Sequence, residues 1–74
     1  MILVQDSVPD LLLVLETVAP FGWFRIERRD YRLPGAENME GCYTVEIWGN
    51  LMTKPCLEIE DALKAGIDLC GDVR

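Results

Sequence analysis

"GWFRIERRDYRLPGAENMEGCYTVEIWGN", residues 22–50, decides the fold, because two stretches with a period of two flank a segment rich in turn formers. Such alternation is typical of strands with one buried face. The positions expected to be buried are Phe24, Ile26, Tyr43, Val45 and Ile47. The positions expected on the other face are Trp23, Arg25, Glu27, Thr44, Glu46 and Trp48. Residues 33–41 between the stretches predict a hairpin loop.

The residues before this hairpin predict a helix near residues 7–19, because apolar residues recur there at steps of three and four. Asp6 or Ser7 can cap it, since their side-chain oxygens accept hydrogen bonds from unpaired backbone N–H groups. Pro9 falls in the first turn, where its missing N–H costs nothing. Pro20 ends the helix.

A second helix is predicted over residues 53–70, in which Cys56 and Cys70 share one apolar face. Their separation of 14 positions corresponds to about four helical turns, which is too far for a disulfide. Thr53 can cap this helix, with Pro55 in its first turn.

The start of this second helix has an alternative. Residues 51–57 can instead form a short third strand, with the helix beginning near Glu58. In either case Gly71 is a typical helix stop. The expected fold is α+β, a single domain over residues 1–74. Its order is α-β-β-(β)-α, with two helices packed on one face of a small antiparallel sheet.

The composition predicts self-association. The chain has 74 residues, of which 50% are hydrophobic, and so short a domain encloses little apolar surface. The opening residues Met1–Val4 are apolar and precede the first helix, where a monomer offers them only a sheet edge. A homodimer formed by paired edge strands or by facing Trp23 and Trp48 would bury these surfaces.

The charge disfavours nucleic acid and anionic membranes as partners, because the net charge is −6. The distribution is nevertheless uneven. Residues 25–32 hold four arginines against Glu27 and Asp30, a local charge of +2 that leaves −8 for the rest of the chain. A nucleic-acid-binding module that uses the Arg25–Arg32 strand is therefore the alternative function.

Catalytic and metal-binding chemistry is not predicted. The chain has no histidine and three cysteines, and its only serine, Ser7, is a candidate helix cap. Cys42, Cys56 and Cys70 lack the spacing of a zinc site and are expected to be buried thiols. We expect no enzyme activity, no cofactor and no metal.

The opening residues also bear on localisation. They lack a basic segment, and Asp6 and Asp10 interrupt their apolar character. A secretory signal needs both features. The apolar run 11–15 is too short to span a bilayer, which takes about 20 residues. The sequence thus predicts a cytoplasmic protein.

Two families show a resemblance. The strands "GWFRI" and "YTVEIW" and the segment "TKPCLEIEDALKAGIDL", residues 53–69, resemble small phage and prophage proteins with an ABA sandwich. That resemblance implies a bacterial or phage origin and no catalytic residues. The element order also resembles a double-stranded RNA-binding domain. However, residues 58–66, "EIEDALKAG", carry acids where that family has phosphate-binding lysines, so only the fold is implied.

The function expected from these observations is a non-enzymatic protein–protein interaction module. Tryptophan and arginine most often contribute the binding energy of interfaces. The candidate surface comprises Trp23, Arg25, Arg28, Arg29, Arg32 and Trp48. The alternative for these residues is purely structural, because cross-strand aromatic and Arg–Glu pairs also stabilise a solvated sheet face.

Overall fold

The computed structural model describes residues 7–72. Its elements are helix α1 (Val8–Val18), a 3-10 turn (Pro20–Gly22), strands β1 (Phe24–Tyr31), β2 (Glu40–Ile47) and β3 (Leu51–Met52), and helix α2 (Ile59–Asp72). The three strands form an antiparallel sheet in the order β1-β2-β3. The predicted α+β fold is confirmed. The expectations for Met1–Val4 lie outside the described residues.

Helix α1 begins as the sequence predicts. The Ser7 hydroxyl accepts a hydrogen bond from the backbone N–H of Asp10 at 3.3 Å, and Pro9 lies in the first turn. Leu11 and Leu15 are buried in the core. The helix stops before Pro20, which starts the 3-10 turn. Capping and the proline together explain both ends.

The hairpin pairs Phe24 with Ile47 and Ile26 with Val45. Opposite residues in an antiparallel pair point to the same face, so these four side chains share the face that the helices cover. Val45 and Ile47 are fully buried, whereas Phe24 and Ile26 are half-buried against the core. The predicted inner face is confirmed.

The segment after β2 differs from the preferred prediction. Thr53 does not cap a helix, because its backbone N–H donates to the Val45 carbonyl at 2.9 Å. The Val45 N–H in turn donates to the Thr53 hydroxyl at 2.9 Å. Two hydrogen bonds then join Cys56 to Tyr43 at 2.7 and 2.9 Å. Residues 53–56 oppose residues 43–45 with one residue in excess, which makes a bulge that accommodates Pro55.

Helix α2 consequently begins at Ile59, and the alternative with a short third strand is correct. Cys56 is not on α2, although it packs partly against the same core as the buried Cys70. Gly71 does not stop the helix but lies within it. Thr53 and Pro55 misled the sequence interpretation because the residue types that cap helices also suit strand edges and bulges.

The core forms where α2 crosses the central strand. A Cβ atom at Gly66 would lie 2.8 Å from Cγ1 of Val45 and 3.6 Å from Cδ1 of Leu15. The helix backbone can therefore approach β2 only because residue 66 has no side chain. Helix α1 packs mainly against α2 and contributes Leu15 to the same contact.

We expect Gly66→Ala to lower the free energy of unfolding by about 1–2 kcal/mol, because the clash with Val45 outweighs the helix propensity that alanine adds. The matched control is Gly71→Ala in the same helix, where an added Cβ meets no atom within 4 Å. That control should be neutral or slightly stabilising. Urea denaturation measures both, and a stable Gly66→Ala protein would contradict the packing described.

A second expectation concerns the bulge. Thr53→Val should cost about 1–3 kcal/mol of unfolding free energy, because it removes the acceptor for the buried Val45 N–H. Thr53→Ser retains the hydroxyl and should recover most of that loss. Equal destabilisation by the two variants in chemical denaturation would show that the hydroxyl is not the important group.

Candidate interaction surface

Three aromatic side chains meet at the end of the sheet where β1 starts and β2 stops. The rings of Phe21 and Trp48 are 5.3 Å apart, and those of Trp23 and Trp48 are 6.5 Å apart, both edge-to-face. The exposed fractions are 86% for Phe21, 40% for Trp23 and 56% for Trp48. We call these three residues the aromatic cluster. The rings contact each other yet remain largely open to solvent.

Phe21 has a backbone conformation that is rare for a bulky residue. Its φ is 58° and its ψ is 17°, in the left-handed region, and Gly22 follows with φ of 65°. Such a conformation costs a residue with a side chain about 1–2 kcal/mol. Backbone strain of this kind is concentrated at functional sites. The turn therefore holds an exposed phenyl ring against Trp48 at an energetic cost.

Sequence reasoning found Trp23 and Trp48 but missed Phe21. The strand alternation placed the two tryptophans on one face, and their ring contact agrees with that placement. Phe21 lies outside both strands, between Pro20 and Gly22. The Pro-Phe-Gly sequence was the available signal, because a proline followed by glycine marks a tight turn that displays the residue between them.

The aromatic cluster has the size of an interface centre rather than of a whole interface. With roughly 150–250 Å² for each aromatic side chain, the exposed fractions leave on the order of 350 Å² uncovered. A stable protein–protein interface buries about 800 Å² per partner. Beside Trp23 and Trp48 lies a cleft of about 370 Å³, which Ile47, Gly49 and Asn50 complete. A partner side chain has room to insert there.

Next to the tryptophans, the same sheet face carries a row of ion pairs. Arg25 Nη2 lies 2.5 Å from Glu46 Oε1 and 3.0 Å from Glu27 Oε1. Arg29 Nη2 lies 2.6 Å from Glu27 Oε2. Two arginines and two glutamates therefore neutralise each other along this face, so it presents no net positive charge.

The structure does not gather the six predicted surface residues at one place. Arg25 and Arg29 share the outer face with the tryptophans. Arg28 lies on the helix-facing side, where it pairs with Tyr43 and its Cζ is 6.0 Å from the ring centroid. Arg32 follows β1 and is exposed. The arginines therefore do not form a single basic surface.

The outer face is also less open than the strand pattern indicates. Cys42 and Thr44 point to it, opposite Arg29 and Glu27, yet both are buried. Both are short residues on the central strand, which has a neighbour on each side. The part of this face that is accessible to a partner is therefore its aromatic end.

The thiols offer little reactivity. Cys42 and Cys70 are buried and Cys56 is half-buried, with its Sγ–H donating to the Lys54 carbonyl at 3.3 Å. Burial raises the pKa of the Cys56 thiol, and the negative charge of Asp61 raises it further. A raised pKa lowers the thiolate fraction, which is the nucleophilic form.

Among residues 7–72, no group of three or more potential ligands could hold a metal ion. None of the helices in this part of the chain has both the length and the apolar character needed to cross a membrane.

Comparison with known proteins gives no further guide to the site. No family model, curated protein or solved structure matches this chain significantly.

The strain at Phe21 leads to a stability prediction. We expect Phe21→Asn to leave the free energy of unfolding unchanged or to raise it by up to about 1 kcal/mol. Asparagine tolerates the left-handed conformation, and this relief offsets the loss of an aromatic contact worth about 0.5–1.5 kcal/mol.

The matched control for this prediction is Phe24→Ala, three residues further along. It removes a half-buried core side chain and should cost about 2 kcal/mol or more. Thermal and urea unfolding distinguish the two variants. If Phe21→Asn lowers the free energy of unfolding as much as the control does, Phe21 stabilises the fold and is not held exposed for binding.

Proposed function

We propose that this chain is a non-enzymatic protein–protein interaction module that forms a homodimer and anchors a partner protein at the aromatic cluster. The observation that carries the proposal is the exposed Phe21 ring, held against Trp48 in a left-handed backbone conformation. The left-handed conformation costs the fold free energy, and strain of this kind is concentrated at functional sites.

The cluster has the features of an interaction hot spot. Tryptophan is the residue type most enriched at such sites, and hot spots lie in well-packed pockets near the centre of an interface. Trp23 and Trp48 line a cleft that a partner side chain can fill. The polar rim that surrounds a typical hot spot is available in Arg25 and Asn50.

Self-association is supported by the apolar surface beyond the cluster. Helix α1 exposes 63% of Leu13 and 45% of Val14. These side chains lie away from the core that α2 and β2 form. Burial of such surface against a second copy would stabilise the chain, which is too short to enclose it alone.

The non-catalytic part of the proposal is supported by the chemistry of the side chains. The chain has no histidine, and the Ser7 hydroxyl is engaged as the α1 cap. Binding of nucleic acid is less well supported, because Arg25 and Arg29 are paired with glutamates. A bacterial or phage origin stays a prediction from the resemblance.

Photo-crosslinking tests the anchor. The photoreactive analogue p-benzoylphenylalanine replaces Phe21, and the labelled chain is irradiated in extracts of the source cells. We expect a discrete adduct that excess wild-type chain suppresses. A Phe21→Asn, Trp48→Ala competitor should not suppress it. The adduct mass distinguishes a second copy of the chain from a different protein, because a second copy adds 8.4 kDa.

The same analogue at Leu57 is the control, since that residue is apolar and exposed but follows Cys56, which pairs with Tyr43 far from the aromatic end. The proposal predicts no matching adduct from position 57. If position 21 gives no adduct, or if the double variant competes as well as wild type, the aromatic cluster is not the anchor.

A further inference from the structure

The two edges of the sheet differ. At one edge, β3 has only the two residues Leu51–Met52 and is followed by the bulge that contains Pro55. A short strand, a bulge and a proline all hinder pairing with another strand. At the other edge, β1 runs for eight residues in continuous register, without proline or glycine. Within residues 7–72, no strand pairs with the outer side of β1.

The backbone groups on this outer side can be identified from the hydrogen bonds of β2. Tyr43 and Val45 direct their N–H and C=O groups to residues 53–56. Neighbouring residues in a strand point these groups in opposite directions, so Thr44 and Glu46 direct theirs to β1. By the register, the β1 residues that direct their backbone groups to the outer edge are Phe24, Ile26, Arg28 and Asp30.

Charged side chains usually protect a strand edge, and β1 is rich in them. Here the guanidinium groups are held within the protein's own sheet. Arg25 reaches Glu46 on β2, and Arg29 lies along β1 on Glu27. Arg28 folds over β2, where a Cβ atom at Gly41 would collide with it. The backbone of the edge is therefore left accessible.

The charge pattern of β1 is complementary to itself. When two copies pair about a two-fold axis perpendicular to the sheet, residues of the same face must oppose each other. A two-fold axis that passes between the two copies of Arg28 places Glu27 of each copy opposite Arg29 of the other. It also places Arg25 opposite Tyr31 of the second copy, where a cation–π contact can form.

Pairing of the two β1 strands about a neighbouring residue is less favourable than pairing about Arg28. An axis at Glu27 opposes the two copies of Glu27, and an axis at Arg29 opposes the two copies of Arg29, which destabilises a sheet. An axis at Ile26 avoids like charges but pairs only residues 24–28. The Arg28 axis pairs residues 25–31, and its two Arg28 side chains are turned away over Gly41 and Tyr43.

We infer that the outer edge of β1 is a homodimer interface, at which a second copy of β1 pairs antiparallel about Arg28 to form a continuous six-stranded sheet. This inference rests on the homodimer part of the proposed function and does not involve the aromatic anchor. Main-chain hydrogen bonds from Ile26, Arg28 and Asp30 hold the two copies together, and the Glu27–Arg29 pairs set the register.

Analytical ultracentrifugation of the full chain tests whether the edge is used. We expect wild type to sediment with a mass of twice 8.4 kDa. Asp30→Pro should raise the dissociation constant of the dimer at least tenfold. The N–H of residue 30 points away from β2, so proline there blocks the edge and spares the sheet. Asp30→Ala keeps the N–H and should dimerise like wild type.

A disulfide tests the register and remains informative if Asp30→Pro fails to fold. In a Cys56→Ser background, Arg28→Cys places two thiols at the axis, where paired Cα atoms lie about 5.5 Å apart and a disulfide can form. We expect oxidation to cross-link Arg28→Cys at least ten times faster than Arg32→Cys. Faster cross-linking by Ile26→Cys would overturn the Arg28 axis.

The outcomes separate the two proposals. If wild type dimerises, but Asp30→Pro does not weaken the dimer and Arg28→Cys does not cross-link it, the homodimer stands and the β1 interface is wrong. If wild type is monomeric at all concentrations, both the homodimer and the β1 interface are wrong, whereas the aromatic anchor is not affected. A monomer that dimerises only after deletion of residues 1–4 would show that the chain's own start occupies the edge, which also overturns the inference.

Discussion

The close approach of α2 to the central strand is the constraint on which the remaining structure depends. Gly66 lets the helix backbone lie against Val45, and Leu15 of α1 closes the contact from the other side. Because Val45 is fixed there, its N–H needs an acceptor, which Thr53 supplies through its hydroxyl. Helix α1 then packs mainly against α2. As a result, Phe24 and Ile26 stay half-buried and the β1 side of the sheet is the less protected one.

Much of the fold could be predicted from local rules. The stop at Pro20 and the alternation in both hairpin strands each have a single physical interpretation, and the structure agrees with both; of the two candidate caps, Asp6 and Ser7, it has Ser7. The start of α2 was ambiguous because Thr53 and Pro55 suit both a helix start and a strand bulge. Only the hydrogen bonds to Val45 decide between them, and these depend on tertiary packing that a local pattern does not contain.

The candidate site was predictable in part for the same reason. Strand alternation was enough to place Trp23 beside Trp48. It could not find Phe21, whose position depends on a left-handed turn, or separate Arg28 from Arg29 by what each contacts. The local charge of +2 in residues 25–32 suggested a basic strand. Glu46, from a different strand, joins Glu27 in pairing with the arginines, so the charge that a partner meets differs from the one counted along the chain.

The aromatic cluster and the proposed β1 interface are compatible in space. With the axis at Arg28, Trp23 of one copy lies opposite Leu33 of the other, just after the second β1 ends. Each aromatic end would then adjoin the hairpin loop of the second copy, while Phe21 and Trp48 remain on the far side of Trp23. A cluster that exposes too little surface for a stable interface alone would gain an apolar neighbour from the dimer. Dimerisation at the edge would thus enlarge the surface that anchors a partner. Because the two β1 strands run antiparallel, the dimer would carry one such surface at each of the two opposite strand ends of the sheet.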